Sequence, residues 1–195
     1  FRFGSGRAAD AHDLVNFGKE HHFETWISPL LFHGERKVSS TRVRETLAAG
    51  DFYETSLMLG HPYTMSGRVI HGQALGRTLG YPTLNIAPIP PGSRARPALS
   101  GVFAVRVEGI LPGASIPGVA SLGLRPTVTS SKRWLLETHL FDWHGDAYGR
   151  NICVRFIERI RAEQKFSGLP ELTAAIRNDA ARARQILGLA PGTPE

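Results

Sequence analysis

The spacing of hydrophobic and polar residues changes near residue 60 and divides the chain into two regions. In the first region, Asp10 is a favourable N-cap for a helix that runs to about His22. Residues 23–27 are rich in aromatic and β-branched side chains and form a plausible short strand. The first region is therefore expected to mix helices and strands.

Two further helices with capping residues at both ends are predicted before residue 61. A serine pair at 39–40 is a good start for the first, and Gly50 is placed to end it. Asp51, with Glu54 three residues later, resembles a capping box for the second, which Gly60 would end. The two helices are expected to form a compact αα unit.

From Tyr63 onward the pattern becomes one of short apolar runs separated by glycine and proline. Such runs predict strands divided by turns. The six candidates are residues 65–71, 82–87, 100–108, 116–123, 134–142 and 151–160. Six short strands in about 100 residues favour a small antiparallel barrel, because closing a sheet removes its exposed edges.

An amphipathic helix is predicted after the last strand, from Pro170 to Leu187. Its apolar stripe consists of Leu172, Ile176, Ala180, Ala183 and Leu187. We expect this stripe to pack against the barrel, and the tail 189–195 to be mobile.

Composition narrows the class of protein without identifying it. Hydrophobic residues make up 42% of the 195 residues and charged residues 21%, which fits a soluble globular chain. No apolar run is long enough to cross a bilayer, and no signal segment opens the chain, so the cytoplasm is the expected compartment. The lone Cys153 excludes an internal disulfide and is expected to be a buried, inert thiol.

The formal charge of +6 favours anionic partners such as phosphorylated small molecules, nucleic acid or a membrane surface. Basic residues are spread along the chain, and no aromatic-basic signature of RNA binding is present. We therefore expect no nucleic-acid, membrane or obligate protein partner.

A glycine-rich stretch, GQALGRTLGYPTLN at residues 72–85, is the strongest chemical signal. Three glycines spaced by four, an arginine, a threonine and an asparagine suit a loop for phosphate and Mg²⁺. The stretch fails the Walker A pattern for three reasons: three residues instead of four separate Gly72 from Gly76, Arg77 replaces the lysine, and no helix is expected after the stretch. It is either a phosphate loop between two strands or a glycine-rich surface hairpin with a solvated arginine.

Three other places carry candidate chemistry, each with a simpler alternative. Glu137 lies in an apolar strand and is either a general base or part of a solvent-facing row. Arg161 ends the last strand and either reaches an anion or lies in a solvated turn. The serines at 39–40 either cap a helix or help bind phosphate at its N-terminus.

Taken together, these segments resemble the bacterial bifunctional riboflavin kinase/FAD synthetase family. The kinase motif G-x-x-x-G-R-x-x-G-x-P-T-x-N is present as Gly72, Gly76, Arg77, Gly80, Pro82, Thr83 and Asn85. Further segments of the family are matched at residues 118–127, 137–149 and 161–166, in the same order. Leu84 stands where the family usually has alanine, between the two expected metal ligands.

The resemblance implies a riboflavin kinase module at residues 61–188, a six-stranded Greek-key barrel with a C-terminal helix. It would transfer the γ-phosphoryl group of ATP, the co-substrate, to the 5′-hydroxyl of riboflavin and give FMN. Thr83 and Asn85 would hold Mg²⁺, Glu137 would be the general base, and Arg161 would lie on the flavin side. The residues expected to bind ATP are Gly72, Gly76, Arg77, Gly80, Pro82 and Thr83.

The resemblance also implies that residues 1–60 are the C-terminal part of a Rossmann-like nucleotidyltransferase domain. Ser39, Ser40, Thr41 and Arg44 match its S-S-T-x-[IV]-R motif and would belong to a remnant ATP site. The H-x-G-H motif of that module does not occur in the chain, so we expect no FAD synthesis from this chain alone. The alternatives are an FMN adenylyltransferase, if the native protein has the missing half, and a flavin-binding remnant without catalysis.

Overall fold

The computed structural model describes residues 2–90, 93–126 and 132–191. The chain divides into two compact units, with the division between Val38 and Ser39. Four residues of the predicted mobile tail, 192–195, lie outside the described residues.

The first unit contains one helix and two small hairpins. Strand β1 (Arg2–Phe3) pairs with β2 (Ala9–Asp10), and β3 (Phe32–His33) pairs with β4 (Arg36–Lys37). Helix α1 (Ala11–Glu20) begins as predicted, because the Asp10 carboxylate accepts hydrogen bonds from the backbone N–H groups of His12 and Asp13. A short 3₁₀ turn at Ser5–Arg7 precedes it.

The predicted strand at residues 23–27 is wrong. Residues 23–31, all of them described, form neither helix nor strand. The segment has strand-like composition, but none of the described strands pairs with it, and β propensity depends on such pairing.

The second unit begins with two helices whose ends were predicted correctly. Helix α2 spans Ser40–Ala49 and helix α3 spans Phe52–Leu59. Ser39 and Asp51 cap their starts, and Gly50 and Gly60 end them in the left-handed conformation. Leu47 of α2 and Phe52 of α3 are buried in the same apolar core as the barrel that follows.

Six strands form the predicted antiparallel sheet of the second unit. They are β5 (Thr64–Arg68), β6 (Leu84–Ile86), β7 (Gly101–Leu111), β8 (Ala114–Pro126), β9 (Lys132–Leu140) and β10 (Asn151–Arg161). Their spatial order is β5-β10-β7-β8-β9-β6. Because β10 returns to lie beside β7 after the β7-β8-β9 meander, the connection is a Greek key.

The sheet nearly closes on itself. After β5, the backbone N–H of Ile70 donates to the carbonyl of Asn85 in β6 at 2.8 Å. This bridge joins the two outer strands of the sheet and leaves a near-barrel. The mainly β fold predicted from the sequence is thus confirmed.

The interior of the near-barrel is filled by apolar side chains. Phe103 and Phe156 meet edge to face at 5.1 Å between ring centroids, and Phe52 of α3 packs against both rings. Cys153 does not join this core: its side chain is half-buried, which corrects the expectation of a buried thiol. It alternates along β10 with the buried Ile152 and Val154, so it lies on the outer side of the strand.

Helix α5 (Leu169–Ile186) covers one outer face of the sheet and matches the predicted C-terminal helix. Ala180 and Ala183 are buried against Val102, Ala104 and other apolar side chains of the sheet. None of the helices in the described part of the chain is both long enough and apolar enough to span a membrane.

Candidate active site

The glycine-rich stretch forms the loop between β5 and β6. It contains a one-turn helix, α4 (Leu75–Thr78), which the sequence did not predict. The ring of His71, at the start of the loop, stacks on Tyr148 with 3.9 Å between centroids. This contact ties the loop to the connection between β9 and β10.

Gly72 is required by a close contact with Asn85. A Cβ atom at Gly72 would lie 2.5 Å from the Asn85 amide nitrogen Nδ2. The loop covers Asn85, whose side chain is buried, and the described residues provide no hydrogen bond to its Oδ1. A buried acceptor oxygen without a partner is costly unless a ligand satisfies it.

The other two glycines serve the shape of the loop. A Cβ atom at Gly76 would collide with the carbonyl oxygen of Tyr81, whose N–H in turn donates to the Gly76 carbonyl at 2.7 Å. Gly80 has a φ of +82°, which favours glycine. Contact of the loop with nucleotide phosphates stays a prediction.

Three polar side chains form a row across the outer face of the sheet. Asn85 of β6 lies opposite Glu137 of β9, and Glu137 lies opposite Ser121 of β8. Directly opposite residues of antiparallel strands point to the same side. Asn85 and Glu137, which are far apart in sequence, are therefore neighbours.

Arg125 binds Glu137 and two other side chains. Its Nε donates to Glu137 Oε2 at 2.8 Å, Nη1 to Glu163 Oε1 at 2.7 Å, and Nη2 to the Ser121 hydroxyl at 2.8 Å. Burial alone would lower the pKa of the Arg125 guanidinium, but its hydrogen bonds to Glu137 and Glu163 outweigh burial and hold that pKa above the usual value. Arg125 is therefore a permanent cation beside the predicted base.

A cavity of about 290 Å³, here called the Glu137 cavity, adjoins this network. Its polar side includes Glu137, Arg125 and Thr83, and its apolar side includes Phe166 of the segment after β10. The first part of the predicted apolar stripe of α5, Leu172 and Ile176, lines this cavity as well. Such a mixture of an apolar wall and convergent polar groups is typical of a small-molecule site.

A second cavity of about 240 Å³, here called the Trp143 cavity, is lined by Arg77 and Pro82 of the loop. Trp143, His144 and Tyr148 of the β9–β10 connection form its other side. Thr83 lines this cavity and the Glu137 cavity. Thr83, three residues after Gly80, is therefore the residue at which the two cavities adjoin.

The structure brings Arg161 to the Glu137 cavity, where it is already engaged by a carboxylate. Its Nε and Nη2 donate to Asp179 of α5 at 2.7–3.1 Å. Its guanidinium carbon lies 5.5 Å from the centre of the Phe166 ring. Arg161 thus braces the wall of the cavity against α5.

The four residues predicted for the remnant site lie elsewhere. Ser39 accepts a hydrogen bond from the Arg42 N–H at 3.3 Å, as a helix cap does, and Ser40 and Thr41 are exposed at the start of α2. Arg44 lines a different, open cavity of about 440 Å³ beside the start of β5. None of the four lines the Glu137 cavity or the Trp143 cavity.

Sequence reasoning missed several side chains of the two cavities. Arg125 and Glu163 lie inside segments that match the family, at 118–127 and 161–166, but neither had been given a role. Trp143 and Tyr148 lie within the family-matched segment 137–149, in which only Glu137 was assigned a role. The signal that could have found them is the presence of aromatic and charged residues where a simple turn needs neither.

The fold and the paired cavities define a small Greek-key barrel protein with two adjoining ligand-sized sites. The chain matches the flavokinase family, described as riboflavin kinase, over residues 59–187. It therefore belongs to the riboflavin kinase family.

The curated proteins that resemble this chain match nearly all of it and are longer than it. The bifunctional riboflavin kinase/FMN adenylyltransferase of Escherichia coli K12 is 43% identical over 189 residues, which cover 97% of this chain and 58% of the relative. The protein of the same name from Pseudomonas fluorescens is 41% identical over 186 residues, with 95% and 58% covered. The chain thus spans a little over half the length of these curated relatives.

A solved structure shares most of the fold. A crystal structure described as a macrolide-efflux protein from Streptococcus pneumoniae aligns with a TM-score of 0.64 and 32% identity. The alignment covers 92% of this chain and 56% of that one.

Proposed function

We propose that the chain is a riboflavin kinase that transfers the γ-phosphoryl group of ATP to the 5′-hydroxyl of riboflavin and gives FMN. The observation that carries the proposal, beside family membership, is that Thr83 lies between two adjoining cavities. A nucleotide in one cavity and a flavin in the other would bring donor and acceptor together. Phosphoryl transfer depends mainly on such positioning and on charge neutralisation.

The Trp143 cavity suits the nucleotide. Trp143 and Tyr148 offer aromatic faces for a base, and Arg77 offers a guanidinium for phosphate. Of the loop residues proposed to bind ATP, Arg77, Pro82 and Thr83 line this cavity, Gly76 lines the Glu137 cavity, and Gly80 shapes the loop between them in sequence. Gly72 acts indirectly in this proposal, by leaving room for Asn85.

Thr83 and Asn85 fit the proposed Mg²⁺ site. The metal prefers hydroxyl and carbonyl oxygens, and Asn85 Oδ1 is a buried acceptor without a partner among the described residues. When bound, Mg²⁺ supplies positive charge that offsets the charge of the phosphate oxygens. The two side chains would fix the place of that charge at the junction of the two cavities.

Glu137 is the proposed general base for the ribityl hydroxyl. Arg125 occupies its Oε2, and the described residues give its Oε1 no hydrogen bond, which leaves that oxygen to accept a proton. Arg161 and Phe166 would contact the flavin side of the acceptor from the opposite wall.

The test is to incubate the protein with ATP, MgCl₂ and riboflavin and to separate FMN by chromatography. We expect FMN from the wild type and a loss of kcat of about 10²- to 10⁴-fold in Glu137→Gln. Glu108→Gln is the matched control, because Glu108 is also an ion-paired strand glutamate but contacts Arg155, away from both cavities. Absence of FMN with the wild type would refute the function, and full activity of Glu137→Gln would refute the base.

Residues 1–60 resemble part of a domain whose function differs from that of the kinase module. We propose that they correspond to the C-terminal part of a Rossmann-like adenylyltransferase domain, because Ser39, Ser40, Thr41 and Arg44 match its motif and the similar proteins are named as bifunctional. Incubation with FMN and ATP is expected to give no FAD, because the chain contains no H-x-G-H motif. Formation of FAD would overturn this expectation, and flavin binding without turnover in either assay would favour a non-catalytic module.

A further inference from the structure

One side chain connects the opposite walls of the Glu137 cavity. Arg125 leaves strand β8, reaches Glu137 on β9 and also binds Glu163, which belongs to the segment after β10. The third nitrogen of its guanidinium is bound by Ser121, four residues earlier on the same strand. Each of the three nitrogens of the planar guanidinium therefore donates a hydrogen bond to a different side chain.

Gly123 leaves the space that this arrangement needs. A Cβ atom at Gly123 would collide with the Glu163 carboxylate and with Nη1 of Arg125. The ion pair between Arg125 and Glu163 therefore passes directly over the backbone of β8. A side chain at this point would displace the ends of Arg125 and Glu163, so glycine at position 123 permits the ion pair to form there.

Two features separate this contact from an ordinary surface ion pair. Only about 31% of the Arg125 side chain is exposed, and only about 31% of the Glu137 side chain. In addition, the guanidinium is shared between two carboxylates, so Glu137 does not receive its whole charge. An isolated exposed pair would hold its partners weakly, whereas a three-point contact fixes orientation.

We propose that Arg125 is a positioning residue that fixes the carboxylate of Glu137 for the acceptor hydroxyl, with Ser121 and Glu163 as its anchors. The inference rests on the proposed kinase function. Arg125 holds Oε2, which leaves Oε1 as the oxygen proposed to accept the proton in the cavity that Glu137 lines. Glu163 ties the same guanidinium to the wall that carries Arg161 and Phe166.

The proposal predicts an effect on kcat rather than on nucleotide binding. Arg125→Ala is expected to lower kcat about 100-fold, because misplacing a reacting group by about 1 Å can cost that much. The KM for ATP should change little, because Arg125 does not line the Trp143 cavity. Addition of low concentrations of guanidinium chloride should restore part of kcat, with sodium chloride at the same ionic strength as the salt control.

Arg106→Ala is the matched control variant. Arg106 is an arginine of the neighbouring strand β7 that lines neither cavity. Its replacement should leave kcat unchanged, and guanidinium should not raise its rate. Wild-type kcat in Arg125→Ala, or a loss that guanidinium does not reduce, would overturn the proposal.

Two milder variants keep the proposal testable if Arg125→Ala does not fold. Ser121→Ala and Glu163→Gln each remove one anchor while Arg125 and Glu137 remain. Both should lower kcat relative to the wild type, with the KM for ATP unchanged, and unchanged kcat in both would overturn the proposal. If the wild type itself makes no FMN, the kinase function fails; if it makes FMN and the variants match it, only the role of Arg125 fails.

Discussion

At the scale of single residues, two buried polar side chains have an oxygen atom for which the described residues provide no hydrogen-bond partner. Asn85 lies on the outer face of the sheet, under the glycine-rich loop, and Thr138 lies next to Glu137 in sequence but points to the barrel interior. Thr138 is opposite Leu84 on one neighbouring strand and Ala120 on the other, which are both apolar. We therefore interpret the same observation differently at the two residues: Asn85 Oδ1 is the proposed metal ligand, and the Thr138 hydroxyl is expected to lower stability.

Replacement of Thr138 by valine is expected to stabilise the protein. The change keeps the shape of the side chain and removes a hydroxyl that the described residues leave without a hydrogen bond. An unsatisfied buried polar group costs about 1–3 kcal/mol, so we expect a gain of about 1 kcal/mol in the free energy of unfolding. Thermal unfolding measures it as a rise in Tm of about 2–4 °C. A lower Tm would mean that the hydroxyl has a role in the fold.

The same substitution at Thr83 is expected to affect the metal instead. Thr83→Val removes a hydroxyl at the junction of the two cavities while the shape of the side chain is kept. The Mg²⁺ concentration for half-maximal FMN formation should rise about tenfold, which corresponds to the loss of one oxygen contact. Thr138→Val is the control, because it makes the same threonine-to-valine change at a residue outside the proposed metal site. An unchanged Mg²⁺ dependence in Thr83→Val would remove Thr83 from the proposed metal site.

At the scale of elements, the loop between β5 and β6 contains glycines that are needed for two different physical reasons. Gly72 needs space, because a Cβ atom would press on the Asn85 amide, whereas Gly80 needs its backbone angle and has open space around it. The first requirement concerns the side chain of Asn85, and the second concerns the backbone of the loop that is proposed to bind ATP. The equal spacing of the glycines in the sequence hides this difference.

A pair of alanine substitutions should therefore have unlike effects. Gly72→Ala is expected to displace Asn85 and to raise the Mg²⁺ requirement about tenfold or more, by the same argument as for Thr83. Gly80→Ala places alanine at φ +82° and should cost about 1 kcal/mol of stability with the Mg²⁺ requirement nearly unchanged. Mg²⁺ titration of the rate and thermal unfolding, performed on both variants, distinguish the two effects. Equal effects on Mg²⁺ would contradict the assigned role of Gly72.

The elements also show what the sequence can predict. Helices α2, α3 and α5 and the six strands of the barrel follow from caps, turns and periodicity, which are local signals. The failures concern tertiary contacts: residues 23–27 have strand composition without a partner strand, and Cys153 is on the outer side of β10. The contact of Arg125 with Glu163, 38 residues away, depends on strand order, which the local pattern does not contain.

At the scale of the whole molecule, the predicted start of the kinase module at residue 61 lies inside the second compact unit. The resemblance implies a module that begins at residue 61, and the compact unit that contains it begins at Ser39. Leu47 and Phe52, which precede residue 61, belong to the barrel core. The side chain of Arg159 in β10 also donates a hydrogen bond to the carbonyl of Ala48 at 3.0 Å.

Two shortened chains test this boundary. Residues 39–195 keep α2, α3 and every proposed kinase residue, so we expect cooperative unfolding and FMN formation close to that of the whole chain. Residues 61–195 lose Leu47 and Phe52, and removal of one large core side chain alone costs about 2–5 kcal/mol. Since domains are stable by only about 5–15 kcal/mol, this shorter chain should unfold at a much lower temperature or fail to fold. Equal melting temperatures for the two would place the boundary at residue 61 after all, whereas a stably folded 39–195 that makes little FMN would show that residues 1–38 contribute to the reaction.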